Sequence, residues 1–562
     1  MLTWPWIFFG VVYDKKGVKM KNSLASVVNR HPSSTAFFVA LVGNFICLVV
    51  DVFFSLAVIR FAQEWVAEKE KVSVFHVSLF GAFRHQSFPW TMTDLKALLR
   101  KNKWLPVVLV CVCILSFQFV PSGITSLLLP VQFDRVEPLV GNELDFSSTV
   151  PACTEWLDRY QYFGNACDWR DFRGTRYTSC LGQNQLLDVL AAGRGSILSL
   201  LSNNSESLNL SQLGARDGLR ILGPLRGILP IGPNGAPAFD TLQPSAFTNP
   251  DISAAMLSYN YTLDYQGLAS NISCRFDTES PVVSGATNQD TNYVLQYNGT
   301  CPEGTDFMNQ RRVVTFVVPN SNNSLVYWAC KATPDQTPLP SYNLYLRGRV
   351  NYAETIGRIT CSVNPVQPAI YPMSYQSTSH LFSTKERVSA ASSEHTGLIE
   401  NALVALSGII YESQNFQSNL VAESVFTFGI KSFNLPDRGL HEEYLPLWEA
   451  MLGGMLDYGV AYSRLLYSTE EDKPETCLRE VTGEVSYKIV GWFAELSHIG
   501  FLMPMTLLNL TTVILILLAI VTTKENVPSQ LNPADPRILL HADQPEPTDG
   551  DRGTPWDHTV TF

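Results

Sequence analysis

Asp51 is the residue whose type and position could most readily do chemistry in this 562-residue chain, because it stands inside an apolar stretch. Asn44, Asp51 and Ser55 follow a spacing of i, i+7 and i+11, which on a helix draws one polar stripe along one face. Hydrocarbon does not solvate charge, so a carboxylate there must be paired, hydrated or protonated. The stripe reads in two ways: as an ion path or switch between helices, or as hydrogen bonding that holds neighbouring helices together. Asn509, in a later apolar segment, is the expected partner.

Cysteine and asparagine supply a second kind of chemistry. Cys47, Cys111 and Cys113 fall in apolar segments, whereas Cys153, Cys167, Cys180, Cys274, Cys301, Cys330, Cys361 and Cys477 form an even set in the long stretch between them and the last such segment. That stretch also holds six Asn-x-Ser/Thr acceptors, at Asn203, Asn209, Asn260, Asn271, Asn298 and Asn322. Eight cysteines on a glycosylated, oxidising side read as up to four disulfides. Their spacings offer no Cys-x-x-Cys pair for zinc or redox work. Within the trio Cys153, Cys167 and Cys180, one local bond is expected, leaving one member for a distant partner. Asn509-Leu510-Thr511 is formally a seventh acceptor, but it lies in an apolar segment and is discounted.

Catalytic signatures are sparse. Neither a G-x-S-x-G elbow nor an H-E-x-x-H pair occurs, and His441-Glu442-Glu443 has no second histidine at the required spacing. The Gly/Pro-punctuated stretch 205–247 matches no phosphate-binding loop and reads as an irregular surface loop. No cofactor and no metal site is expected. Carboxylates that could serve a glycoside hydrolase are plentiful, but sequence does not pair them.

Three apolar segments must position these residues: 36–59, 104–130 and 499–522. At 1.5 Å per residue each is long enough to cross a hydrocarbon core of about 30 Å. Pro121 predicts a kink in the second. Basic residues flank the intervening loop 60–103, with Lys69, Lys71, Arg100, Lys101 and Lys103 among them, which assigns that loop and the tail 523–562 to the cytoplasm. The loop also carries Trp65, Phe75, Phe80, Phe83, Phe88 and Trp90, a mixture suited to lying in the membrane interface. The first 35 residues form a separate segment in which Trp4-Pro5-Trp6-Ile7-Phe8-Phe9 is apolar but too short to span. Because the basic cluster from Lys15 to Lys21 follows that run, the first span is expected to act as an uncleaved signal anchor.

Between the second and third spans the period changes. Residues 131–393 are β-rich: Tyr261-x-Leu263-x-Tyr265-x-Gly267 recurs at Tyr293 to Gly299 and, with Leu346 third, at Tyr342 to Gly348. Each copy puts large side chains on one face and ends at glycine. The runs Val313 to Val318 and Leu325 to Cys330 read as a hairpin with a glycosylated tip. Residues 394–498 are helical, with Ile399, Leu403, Leu406 and Ile410 on one face and Trp448, Met451, Leu452, Met455, Tyr462 and Leu466 on another. The expected fold is therefore three transmembrane helices with a large α+β, disulfide-stabilised ectodomain. The tail has six prolines and seven acidic residues, a disordered composition.

Charge narrows the partners. Residues 131–498 hold 24 Lys and Arg against 38 Asp and Glu, a net charge near −14, which repels nucleic acid. The partners expected are the lipid bilayer, an extracellular ligand or protein, and further copies in an oligomer. The segment Asn165-Ala166-Cys167-Asp168-Trp169, the strand Leu344-Tyr345-Leu346-Arg347-Gly348 and the closing Ile499-Gly500-Phe501-Leu502-Met503-Pro504, in this order of elements, resemble large membrane glycoproteins of filamentous and mushroom-forming fungi. That resemblance covers most of the chain and implies a cell-surface or secretory-pathway setting, with no activity attached. The expected function is a ligand-, wall- or protein-binding, sensor-like membrane glycoprotein. An ion channel subunit and a membrane-anchored ectoenzyme are the alternatives.

Overall fold

The computed structural model describes residues 3–68, 71–88, 90–91, 104–159, 169–172, 175–178, 186–201, 211–212, 220–222, 225–228, 239–243, 252–289, 292–308, 313–317, 323–332, 341–384, 389–390, 397–415, 417–522 and 559–561. Its contacts divide into two units. The first comprises Met1–Arg135, Ile252–Leu257 and Lys488–Phe562, and the second Val136–Asp251 and Ser258–Tyr487.

The helices of the N-terminal part are α1 (Trp4–Asp14), α2 (Asn22–Arg30), α3 (Pro32–Glu68), α4 (Val74–His85) and α5 (Trp104–Leu128). Later come α6 (Pro151–Arg159), α7 (Leu186–Ser199), α8 (Asn351–Thr355), α9 (Gly397–Glu412), α10 (Leu420–Ser432), α11 (Leu445–Ser468) and α12 (Ile499–Thr522).

In the first unit, α3, α5 and α12 are, among the described residues, the helices long and apolar enough to cross a membrane. Their shared core is Val50, Phe54, Cys113, Phe117, Ile124, Met505 and Leu508. Glycine sets two of the contacts. A Cβ on Gly43 would stand 2.8 Å from Thr125 Oγ1 and 3.2 Å from Pro121 O, and one on Gly123 would stand 2.4 Å from Phe501 O. Small residues thus let these backbones approach, as membrane helix packing requires. The short apolar N-terminus is α1, whose Phe9 and Val12 pack with Ala494 and Leu502. Its Trp6 Nε1 donates to Thr506 Oγ1 at 2.9 Å.

Much of the described part of the segment 60–103, expected as a loop, is helical. The helix α3 continues through it to Glu68, and α4 packs back along α3 and α5. Phe80 meets Trp65 at 5.7 Å between ring centroids and Phe83 meets Phe54 at 6.1 Å. The physical reason is that Phe75, Phe80, Ala82 and Phe83 share one apolar face of a helix. Thr559–Thr561 at the chain end pairs antiparallel with Lys71–Ser73. The rest of the tail lies outside the described residues.

The main sheet, most of which lies in the second unit, is built on strands β1 (Val131–Leu144), β2 (Met256–Phe276), β3 (Leu325–Lys331), β4 (Tyr342–Gly348), β5 (Arg358–Gln376) and β6 (Leu478–Trp492). Strand β5 pairs with β2 in the register Tyr375↔Tyr261, Met373↔Leu263 and Tyr371↔Tyr265. Along the path the order is β5, β2, β6, β1, with β4 against β5 and β3 against β4. Two copies of the repeat are therefore strands of one sheet, and all of Tyr261, Leu263, Tyr265, Tyr342, Leu344 and Leu346 are buried. Their terminal glycines admit close neighbours: Gly267 faces the carbonyl of Arg226, and Gly348 that of Tyr352.

The hairpin expected between Val313 and Cys330 is not formed. Val313–Val317 pairs with Asn292–Gly299 in a three-stranded sheet, while β3 pairs with β4. The run from Leu325 to Cys330 is buried at every position, so it behaves as an interior strand covered on both faces. The helices α9 and α11 carry the apolar faces read from sequence, and β6 follows them, so the segment 394–498 ends in a strand of the main sheet. Asn419 caps α10, accepting from Val421 N at 3.0 Å.

Among the described residues, three disulfides join Cys153 to Cys477, Cys274 to Cys361 and Cys301 to Cys330. The long-range member of the N-terminal trio is thus Cys153; Cys167 and Cys180 lie outside the described residues. Of the acceptor asparagines, Asn260 and Asn271 are exposed on β2 and Asn298 lies in the strand Asn292–Gly299. Asn203, Asn209 and Asn322 lie outside the described residues.

Candidate functional site

The polar stripe of α3 opens onto a groove in the first unit. Asn44, Cys47, Leu48 and Asp51 of α3 face Ile114, Phe117, Gln118 and Pro121 of α5 around a cavity of about 340 Å³. The helices run antiparallel here, with Gly43 against Pro121 and Thr125, and Cys47 Sγ 4.0 Å from Phe117 O. The ninth lining residue is Gln86, which ends α4 in a left-handed conformation at φ 50°. Its Nε2 donates to Asp51 Oδ1. A non-glycine residue in this backbone region carries a penalty of about 1 kcal/mol.

Asn44 and Asp51, named from the sequence, both line this groove, and the side chain that donates to Asp51 is Gln86. Asn509 is half-buried on α12 and does not line the groove. Gln86 was hidden because it belongs to a segment read as interfacial. The available signal was the apolar helix face of α4 followed by Arg84-His85-Gln86 and Pro89, a helix stop with polar groups at its end.

A second constellation, buried in the second unit, was barely legible. Glu143 of β1 is fully buried and receives Arg464 Nη2 of α11 at 2.7 Å, Arg479 Nη1 of β6, and the backbone N of Gln266 at 2.9 Å. Arg464 is itself buried. It also donates to the carbonyls of Gln266 and, at 3.1 Å, of Leu144. Its guanidinium lies over the rings of Tyr265 at 4.3 Å and Phe146 at 4.9 Å. Gln266 continues the network through Nε2 to Asp145 Oδ1 at 2.9 Å and through Oε1 to Phe146 N at 2.8 Å.

Burial pushes the Glu143 carboxyl up to about 7, against the opposing pull of Arg464, Arg479 and the Gln266 amide. For Asp145, burial works upward, but hydrogen bonds from Ser147 and Gln266 together hold the carboxyl below its ordinary value. Asp457 of α11 is raised to about 6 by burial, with the Arg226 charge and its backbone N at 3.3 Å working against the shift. The Glu143 network draws strands β1, β2 and β6 onto α11. Arg464 Nη1 and Nη2 and both Glu143 oxygens are engaged by other protein groups, while Arg464 Nε is buried without a hydrogen-bond partner, so the network ties the core together. The one early signal was a lone Arg464 in the apolar run from Tyr458 to Leu466.

Among the described residues no cluster of three or more His, Cys, Asp or Glu side chains is placed to hold a metal. No family model, curated protein or solved structure matches the chain.

Proposed function

We propose that this chain is an integral membrane glycoprotein whose second unit faces the lumen or the exterior and binds a ligand, a wall polymer or a protein. The observation that carries the reading is the partition of cysteine chemistry. Three disulfides lie in the second unit, whereas the thiols of Cys47, Cys111 and Cys113 are free and sit in apolar helices of the first. Disulfides persist where the surroundings oxidise, so the second unit belongs on that side. A domain tied by disulfides and by the Glu143 network holds its surface in one shape, which lowers the entropy lost on binding.

The test combines sidedness with capture. Glycosidase treatment should lower the apparent mass, and impermeant maleimide should find few free thiols outside intact cells. The full-length protein in nanodiscs should then retain members of a panel of wall polysaccharides and secreted proteins. A C-terminal tag cleaved from outside, or turnover of a glycoside or ester without retention of any panel member, would overturn the reading.

The polar groove supports a second reading, in which the bundle passes cations past Asp51. Proteoliposomes should then show a cation flux that Asp51→Asn lowers at least tenfold. Equal flux from both proteins removes this reading.

A further inference from the structure

We infer that the groove between α3 and α5 is half of a site, completed in the bilayer by the same groove of a second copy of this chain. The inference concerns the first unit alone and stands whatever the second unit binds.

It rests on the two amides at the groove's edge. Asn44 and Gln118 are exposed, and neither has a hydrogen-bond partner among the described residues. Gln118 stands about 21 Å along α5 from Trp104 and about 15 Å from Leu128. Asn44 stands about 18 Å along α3 from Pro32 and about 24 Å from Arg60. Both lie near mid-depth of the spans. The neighbouring exposed positions are apolar, among them Leu41, Phe45 and Leu48 on α3 and Leu115 and Phe119 on α5, as a lipid-facing surface requires. Two open carboxamides beside Asp51 interrupt that surface. Hydrocarbon offers them no donor or acceptor, so the groove demands a polar occupant.

The choice of a second copy follows from depth and symmetry. Copies inserted in one orientation relate by an axis along the membrane normal, so a residue can meet only residues at its own depth. Asn44 and Gln118 differ in depth by about three residues of rise, close to 4.5 Å, because position 44 lies level with Pro121. Asn44 of one copy can therefore reach Asn44 or Gln118 of the other. A carboxamide both donates and accepts, so such a pair is self-complementary across a two-fold axis. Closing the groove in this way also removes Asp51 and Gln86 from lipid and encloses the polar space between the copies.

Cys47 lines the groove and serves as a native reporter. The experiment uses the full chain, fluorescently tagged at low expression and carried with its lipids into polymer nanodiscs. Single-molecule photobleaching should give two steps, and a short bismaleimide should cross-link the chains in membranes. Cys47→Ser should abolish that cross-link, while Cys111→Ser and Cys113→Ser should leave it. Asn44→Leu combined with Gln118→Leu should weaken the dimer on the order of tenfold or more, and Asn44→Gln with Gln118→Asn should restore most of it. One bleaching step in the wild type would overturn the inference, as would a dimer indifferent to the double leucine variant. Cross-linking through Cys111 alone, or a stoichiometric complex with a different membrane protein, would count against it too. If the double variant fails to accumulate, the Cys47 cross-link in the unaltered chain still decides.

Discussion

Glu143 and Arg464 are the residues on which the second unit depends most sharply, and titration separates their roles. A carboxyl raised to about 7 in the fold and near 4.5 when unfolded keeps its proton longer in the folded state. Its favourable contribution is complete below about pH 4.5 and is lost as the pH rises through about 7. The loss is on the order of 3 kcal/mol for a shift of this size. Glu143→Gln removes the titration, so its unfolding temperature should match wild type near pH 5 and exceed it at pH 8. A wild type that instead gains stability relative to the variant over that range would show that the guanidiniums dominate and hold the carboxyl low. Arg464→Met should cost about 3–5 kcal/mol, because it strips hydrogen bonds from two carbonyls and leaves Glu143 a single cationic neighbour. Differential scanning fluorimetry of the full chain reads both.

Among the elements, the sequence was most legible where one period persists. The three helices long and apolar enough to cross a membrane came from unbroken apolar length, and the apolar faces of α9 and α11 and the Tyr-x-Leu repeat from strict spacing of side chains. Pairing was less legible than element type. The strand Leu325–Lys331 was recognised, yet its partner proved to be Tyr342–Gly348, since a run apolar at every position carries no register information. The groove was half-legible for the same reason: Asp51 announces itself by charge, whereas Gln86 becomes its partner only through the fold of α4. Helix contact gives a clear prediction. Gly123→Val drives a side chain into the carbonyl of Phe501 and should lower bundle stability by about 1–3 kcal/mol. Gly81→Ala, with nothing within 4 Å of the added Cβ, should raise it by about 0.5–1 kcal/mol. Thermal unfolding in detergent micelles distinguishes the two, and equal effects would refute the packing argument.

At the scale of the molecule, the two units obey different rules. In the first, backbone groups are satisfied within helices and contact is set by glycine and side-chain shape. In the second, a sheet of long strands must be assembled from residues far apart in the chain, and covalent bonds assist. Removing the Cys274–Cys361 bridge, which links neighbouring strands across a separation of 87 residues, should destabilise the second unit by about 2–5 kcal/mol. The helices α3, α5 and α12 should keep their helical signal in the same variant. Circular dichroism with limited proteolysis reads both outcomes, and coincident loss of all helix would show one cooperative unit instead of two.

The bridge from Cys153 to Cys477 spans 324 residues. It turns nearly the whole of the second unit into a covalent ring whose two stems lead to α5 and α12. A single peptide cleavage anywhere inside that ring opens the chain without parting it. The protein would still migrate as one band on a non-reducing gel and split into two on reduction. A protease acting within the ring could therefore alter this surface without shedding it. Release would need a reductant, or cuts on both stems outside the ring.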